Sequence, residues 1–323
     1  MVRGRGADRP SRINSGTGAD RVFDLVTAGA AWLVLLLMIG TAASMAWGGR
    51  LAFNTFGFHF LTSTAWNPVT RDFGALLPIY GTLVTSLIAI VIAVPVSIGI
   101  ALFLTEIAPR WTRGPIGIAI ELLAAIPSII YGMWGLFVFA PFMGAHVEPW
   151  LNDHLGPLPV IGGLFTGPPI GIGMLTAGIV LGIMIIPFIA AVTRDVFNSV
   201  PAPLKESAVA LGSTRWEILT RVSLPYTRSA VIGAIFLGLG RALGETMAVT
   251  FVLGNSHDLT RSLLMPSNSI AAAIANEFTE ADSDIYVSSL IALAFLLFVV
   301  TVIVLALARL MLARLNKMQG RTR

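Results

Sequence analysis

Apolar residues run along this chain in long unbroken blocks, and the polar residues gather between them. A helix needs about 20 mostly apolar residues to cross the hydrocarbon core of a bilayer. Six blocks reach that length, at about 25–47, 82–105, 118–142, 170–192, 229–253 and 285–308. Irregular backbone cannot face lipid, so each block must be helical. Pro95 and Pro127, inside the second and third, must then find relief against neighbouring helices. The first block is too long for a cleaved leader, and no small-residue cleavage site follows a short apolar stretch.

Composition supports the same class. Only 12% of the 323 residues are charged and 55% are hydrophobic, where a soluble domain carries about a quarter charged residues. The pattern predicts an all-α integral membrane protein with six transmembrane helices. With no cysteine there can be no disulfide, thiolate metal site or cysteine nucleophile. His59, His146, His154 and His257 lie far apart, so no metal site is expected. No Gly-x4-Gly-Lys-Ser/Thr loop is present, so the chain is not expected to hydrolyse ATP or to be an enzyme, and no catalytic residue is assigned.

The isoelectric point near 10.0 raises the question of nucleic acid. Charge placement answers it. With the N-terminus inside, the inner segments hold Arg3, Arg5, Arg9, Arg12 and Arg21; Arg110 and Arg113; Arg194, Lys205, Arg215, Arg221 and Arg228; and Arg309, Arg314, Lys317, Arg321 and Arg323. The outer segments hold only Arg50, Arg71 and Arg261. That is the positive-inside bias, which places both termini in the cytoplasm and removes the case for nucleic acid. The last outer loop is acidic, with Asp258, Glu277, Glu280, Asp282 and Asp284, which suits a protein-docking surface better than direct anion capture.

The longest inner connection, residues 194–228, predicts a two-helix knob. Pro201 and Pro203 open it, and a helix from Leu204 to Leu211 follows, with Leu204, Ala208 and Leu211 on one face. Gly212 and Ser213 make the turn. A second helix from Thr214 to Val222 carries Trp216, Ile218 and Leu219, and Pro225 stops it. The alternative is an amphipathic loop lying on the lipid surface.

Arg241 falls at the middle of the fifth block, where a charge costs roughly 2.5–3.5 kcal/mol. Glu245 stands one helical turn further on the same face, so the two would partly neutralise each other. Gly240 and Gly244 form a small-xxx-small pair for close helix packing, with Gly238 beside it. Two readings stay open: an anion station, in which the planar guanidinium takes phosphate-like oxygens, or a buried ion pair that fixes packing. Glu121 reads as an acid in the first turn of the third span.

The run Glu206-Ser207-Ala208-x3-Gly212-x9-Val222-x-Leu224-Pro225 resembles the EAA loop of ABC-importer permeases, with Ser207 and Val222 as mild departures. The stretches 76–109, 121–142, 238–255 and 265–278 resemble the PstC family of phosphate-specific permeases. The resemblance implies a type I (MetI-like) permease fold over a core at 76–310, with the coupling loop at 194–228. It also implies a first transmembrane helix and external loop at 23–75, which wraps a partner. The basic tails, 1–22 (disordered) and 311–323, lie outside that resemblance. The resemblance further implies a plasma-membrane importer of inorganic phosphate working by alternating access. Its partners would be the lipid bilayer, a second, PstA-like permease, two PstB-like ATPases that bind ATP and Mg, and an external PstS-like phosphate-binding protein. The chain itself would need no cofactor. Arg241 and Glu245 would lie on the substrate path, and Glu206, Ser207, Ala208, Gly212, Leu224 and Pro225 would couple to the ATPase. Another oxyanion, sulfate or molybdate, is the nearest alternative, then an ion-coupled secondary transporter, for which no second copy of the Arg241 segment is found. A further role in phosphate signalling stays open.

Overall fold

The computed structural model describes residues 18–320, with side chains at 20–310 and 313. Among them six helices are long and apolar enough to cross a membrane: Asp20–Gly48, Leu76–Ile107, Ser128–His154, Met174–Asn198, Arg215–Leu243 and Asp284–Leu310. The elements run α1 (Gly18–Gly48), α2 (Arg50–Phe56), α3 (His59–Thr62), β1 (Trp66–Asn67), β2 (Asp72–Phe73), α4 (Leu76–Leu102), α5 (Arg110–Ala124) and α6 (Ser128–Trp134). They continue as α7 (Ala140–Phe142), α8 (Glu148–His154), α9 (Met174–Asn198), α10 (Ala202–Ala210), α11 (Arg215–Ile218), α12 (Leu224–Leu243), α13 (Met247–Leu253), α14 (Ile270–Glu277) and α15 (Asp284–Gly320).

The chain divides into one unit through Trp47 and another from Gly48 onward. In the first, α1 begins at Gly18, so residues 18–22 of the expected tail are helical, and residues 1–17 lie outside the described part. At the other end α15 continues to Gly320, through most of the expected C-terminal tail.

The second unit is built around α4 and α9. Small residues allow a close fit, since a Cβ at Gly178 would stand 2.6 Å from an Ile88 methyl. Ala89, Ala93, Leu181, Ile185 and Val252 fill the seam. Ser97 Oγ donates to Ile186 O across it at 3.0 Å. Burying such side chains away from lipid gains packing rather than hydrophobic transfer, which is why small residues dominate here.

The third span departs from expectation. Pro127 has no N–H to give, and the residue before a proline is pushed out of the helical region. The helix therefore ends at Ala124 and restarts at Ser128. Residues 118–124 belong to a separate helix, α5, which packs on α9. Glu121 consequently sits in the last turn of α5, not in the first turn of a span, and its carboxylate meets Arg194 at 2.7 Å.

Four turns are one residue too wide: Phe103–Ile107, Gly135–Phe139, Met143–Val147 and Leu219–Ser223. Two residues after each comes a proline, at 109, 141, 149 and 225. Pro109 lies past the end of its helix, but at 141, 149 and 225 the helix continues; there a proline ring would strike the carbonyl four residues back, and a widened turn swings that carbonyl aside. Pro225 therefore does not stop the knob's second helix: α11 runs through the wide turn directly into α12.

The segments expected as outer loops are folded. Trp66, Phe73, Tyr286 and Leu290 form a second core with α2 and α3, the Phe73 and Tyr286 rings stacking at 4.9 Å. The stretch Met265–Ser269 turns back into the protein, burying Ser267, Asn268 and Ser269. Gly81 must lack a side chain, because a Cβ there would stand 2.0 Å from Asn268 O. Fully buried Glu148 accepts from Gly171 N at 2.8 Å and ties a further loop to the third span.

Candidate functional site

The knob forms as an elbow of two short helices. Pro203 stands in the first turn of α10, where its missing N–H costs nothing. Its end is closed by two hydrogen bonds, Ser213 N to Ala208 O at 3.0 Å and Gly212 N to Val209 O at 2.9 Å. These define a Schellman motif whose turning residue must be left-handed, and Gly212 has φ +84°. The next helix starts with a capping box: Thr214 Oγ1 accepts from Glu217 N, and Glu217 Oε2 accepts from Thr214 N at 2.9 Å. Ser207 Oγ donates to Pro203 O at 2.6 Å, a bond an alanine could not make. Ala208 is buried against the body, whereas Leu204, Val209, Leu211 and Trp216 are exposed. The buried face is therefore narrower than the Leu204–Ala208–Leu211 stripe, and the remaining apolar residues stand outward with Glu206. Leu224 and Pro225 open α12.

The fifth span is not one helix. It stops at Leu243, passes through Gly244, Glu245 and Thr246, and resumes at Met247. Arg241 thus lies in the last turn before the break and Glu245 in the break itself, rather than one turn apart on one face. Arg241 lies in the last turn of α12, where the helix dipole favours a cation. Its guanidinium is exposed in the single chain, with Cζ 5.9 Å from the centre of the Phe188 ring. Among the described residues no acid is in ion-pair contact with it. The Glu245 Oε1 accepts from Ala248 N at 3.3 Å, capping α13. The expected mutual neutralisation is absent; each charge is matched instead to its own helix end.

Close packing within the chain is made by Gly238, whose Cβ would meet Ile189 at 2.5 Å. Gly240 and Gly244 have room: their nearest neighbours would be a Leu305 methyl at 3.9 Å and Gly240 O at 3.7 Å. Gly240 instead borders an open groove of about 740 Å³ lined by Val192, Leu237, Leu305 and Arg309.

Sequence reasoning passed over two features. Phe188 gave no signal beyond being one apolar residue among many. Glu106 meets Lys205 Nζ at 2.6 Å, a pairing between residues 99 positions apart that no local pattern announces.

Residues 93–317 match the family described as "Binding-protein-dependent transport system inner membrane component". The chain is 62% identical over 302 residues to the phosphate transport system permease protein PstC of Xylella fastidiosa (strain Temecula1), covering 94% of this chain and 93% of that one. It is 57% identical to the PstC of Mesorhizobium japonicum, over 93% and 92% of the two chains. Among solved structures it is similar to a chain of a bacterial alginate ABC transporter in complex with its alginate-bound periplasmic protein. There the TM-score is 0.60 at 20% identity, over 93% of this chain and 98% of that one, a likeness of fold.

Proposed function

The chain belongs to the family of binding-protein-dependent transport system inner membrane components, and from that premise we propose that it is the permease subunit of an ABC importer of inorganic phosphate. Relatives named for phosphate transport along nearly the whole length support the substrate. The observation that carries the mechanism is Arg241: a guanidinium in an apolar span, at a helix break, exposed and without an acid partner among the described residues. Such a group costs free energy that a packing role would not require. It offers a forked set of donors that fits a tetrahedral oxyanion.

In this reading both termini are cytoplasmic and the membrane is the plasma (inner) membrane. The open face around Arg241, with the groove beside Gly240, meets a second, PstA-like permease. A PstS-like binding protein delivers phosphate to the far side. Of two PstB-like ATPases, which bind ATP and Mg, one grips the elbow through Leu204, Val209, Leu211 and Trp216. The chain itself needs no cofactor. Closure of the ATPases moves the elbow, and the helices rock between outward and inward openings. Phosphate passes Arg241 in mid-span. Glu245 serves this step indirectly, by fixing where α13 begins.

The test is complementation of a strain lacking the chain with wild type, Arg241→Ala, Arg241→Lys and Glu245→Gln, reading uptake of radiolabelled phosphate, membrane level and co-purifying ATPase. Loss of uptake in Arg241→Ala with an assembled complex is the expected result. Wild-type uptake in that variant would make Arg241 structural. Unchanged high-affinity phosphate uptake on deletion, in a strain with no other phosphate system, would turn the substrate toward sulfate or molybdate.

A further inference from the structure

Both helices of the elbow reach one residue of the second span. Glu106 lies in the wide turn Phe103–Ile107 that ends it. From α10, Lys205 Nζ meets Glu106 Oε1 at 2.6 Å, the two side chains only 25% and 19% exposed. From the start of α11, on the other side of the Gly212 corner, Arg215 Nη1 donates to Glu106 O at 3.5 Å. Beside them is an apolar cavity of about 410 Å³, lined by Leu102, Ile107, Trp216 and Leu219. An ion pair against apolar walls is poorly screened, and removing one partner strands the other in a poorly hydrated place.

We propose that Glu106 is the residue through which movement of the elbow reaches the second span. The inference rests on the reading that an ATPase grips the elbow. An elbow held by apolar contact alone could slide past the span. Tethers on either side of the corner prevent that: α10 cannot shift or pivot at Gly212 without drawing Glu106 along. The span end so moved is continuous with α4, which packs along α9, and α9 supplies the Phe188 ring under Arg241. The elbow therefore reaches the substrate path twice, once through the chain by way of α12 and once through Glu106 by way of α4 and α9. Glu106 touches no substrate in this scheme; it transmits.

The experiment uses the whole complex in proteoliposomes with the binding protein inside the assay, comparing Glu106→Gln, Lys205→Met and the charge-swapped pair Glu106→Lys with Lys205→Glu. The readout is phosphate imported per ATP hydrolysed, with co-purifying ATPase as a second measure. The single variants are expected to keep their ATPase and its hydrolysis while importing about tenfold less phosphate per ATP, as a coupled pair of this kind allows. The swapped pair is expected to recover most of the loss. An unchanged import-to-hydrolysis ratio in both single variants overturns the proposal. Loss of the ATPase from the complex, or no recovery in the swap, also overturns it and makes the pair a docking or folding contact. A wild-type complex that hydrolyses ATP but imports no phosphate would instead overturn the function on which the inference rests.

Discussion

The candidate site residues gather at two helix ends, one at Gly212 and one at Gly244, and these are built in different ways. At Gly212 the backbone is left-handed, two main-chain bonds close the turn, a capping box opens the next helix, and Lys205 and Arg215 tie the corner to Glu106. At Gly244 the backbone is ordinary, with φ −94°, and the adjacent Glu245 carboxylate caps α13. The first end is over-determined, as suits the proposed role of passing on force without giving way. The second leaves a cation open to an exchangeable partner.

Five substitutions and one titration put that contrast under pressure. Arg241→Ala removes the open cation, and phosphate uptake should fall on the order of 100-fold with the complex intact, the scale of losing one positioned donor. Arg241→Lys should recover only part, because a single ammonium cannot fork; full recovery would mean that charge alone matters. At the elbow, Gly212→Ala meets no neighbour within 4 Å yet must hold φ +84°, which costs a non-glycine residue roughly 1–2 kcal/mol. Weaker retention of ATPase during purification would register it. Thr214→Ala loses the cap at about 1 kcal/mol and should act in the same assay, more mildly. Gly244→Ala should change stability by less than about 0.5 kcal/mol, since neither φ nor space opposes it. If uptake nevertheless collapses while the chain stays folded, a second permease must press on that glycine, and the contrast between the two ends becomes one between internal and external constraint.

Glu277 provides the reference, a charge with several partners. Burial pushes its pKa up, but hydrogen bonds from His257, Tyr286 and Trp66 outweigh this and hold it below the usual carboxylate range. A depressed folded pKa adds stability that is fully present above the unfolded value and is lost as pH falls through the folded one. Trp66 fluorescence should therefore be constant from neutral pH down to the ordinary carboxylate range and change only in stronger acid. In Glu277→Gln that acid transition should vanish; a transition that persists would assign it to another group.

Much of this was legible in the sequence because bilayers impose length. The six spans follow from apolar block length, and the elbow from Pro203, Gly212 and Thr214, whose backbone needs are local. What escaped depends on partners distant in sequence or on geometry that hydropathy averages away. A window over 229–253 is equally apolar whether or not Leu243 ends a helix, so Arg241 and Glu245 read as neighbours. Pro127 was visible, but the alternatives of a kink and a full stop differ only in whether α5 finds α9. The Trp66–Phe73–Tyr286 core looked like loop because its short elements bury residues against one another across more than 200 positions.

The three prolines that follow wide turns inside a continuing helix, at 141, 149 and 225, have a consequence for reading helical phase. Each widened turn inserts one residue that a regular helix would not hold, so every side chain beyond it is turned by roughly 100° from where a regular count would place it. A helical wheel drawn straight through Leu219–Ser223 misassigns every face of α12. Counted with the slip, Arg241 comes round to Phe188; counted without it, the same residue would point more than a quarter turn away. In this chain Pro225 is less a break in a helix than a mark telling where to begin the count again.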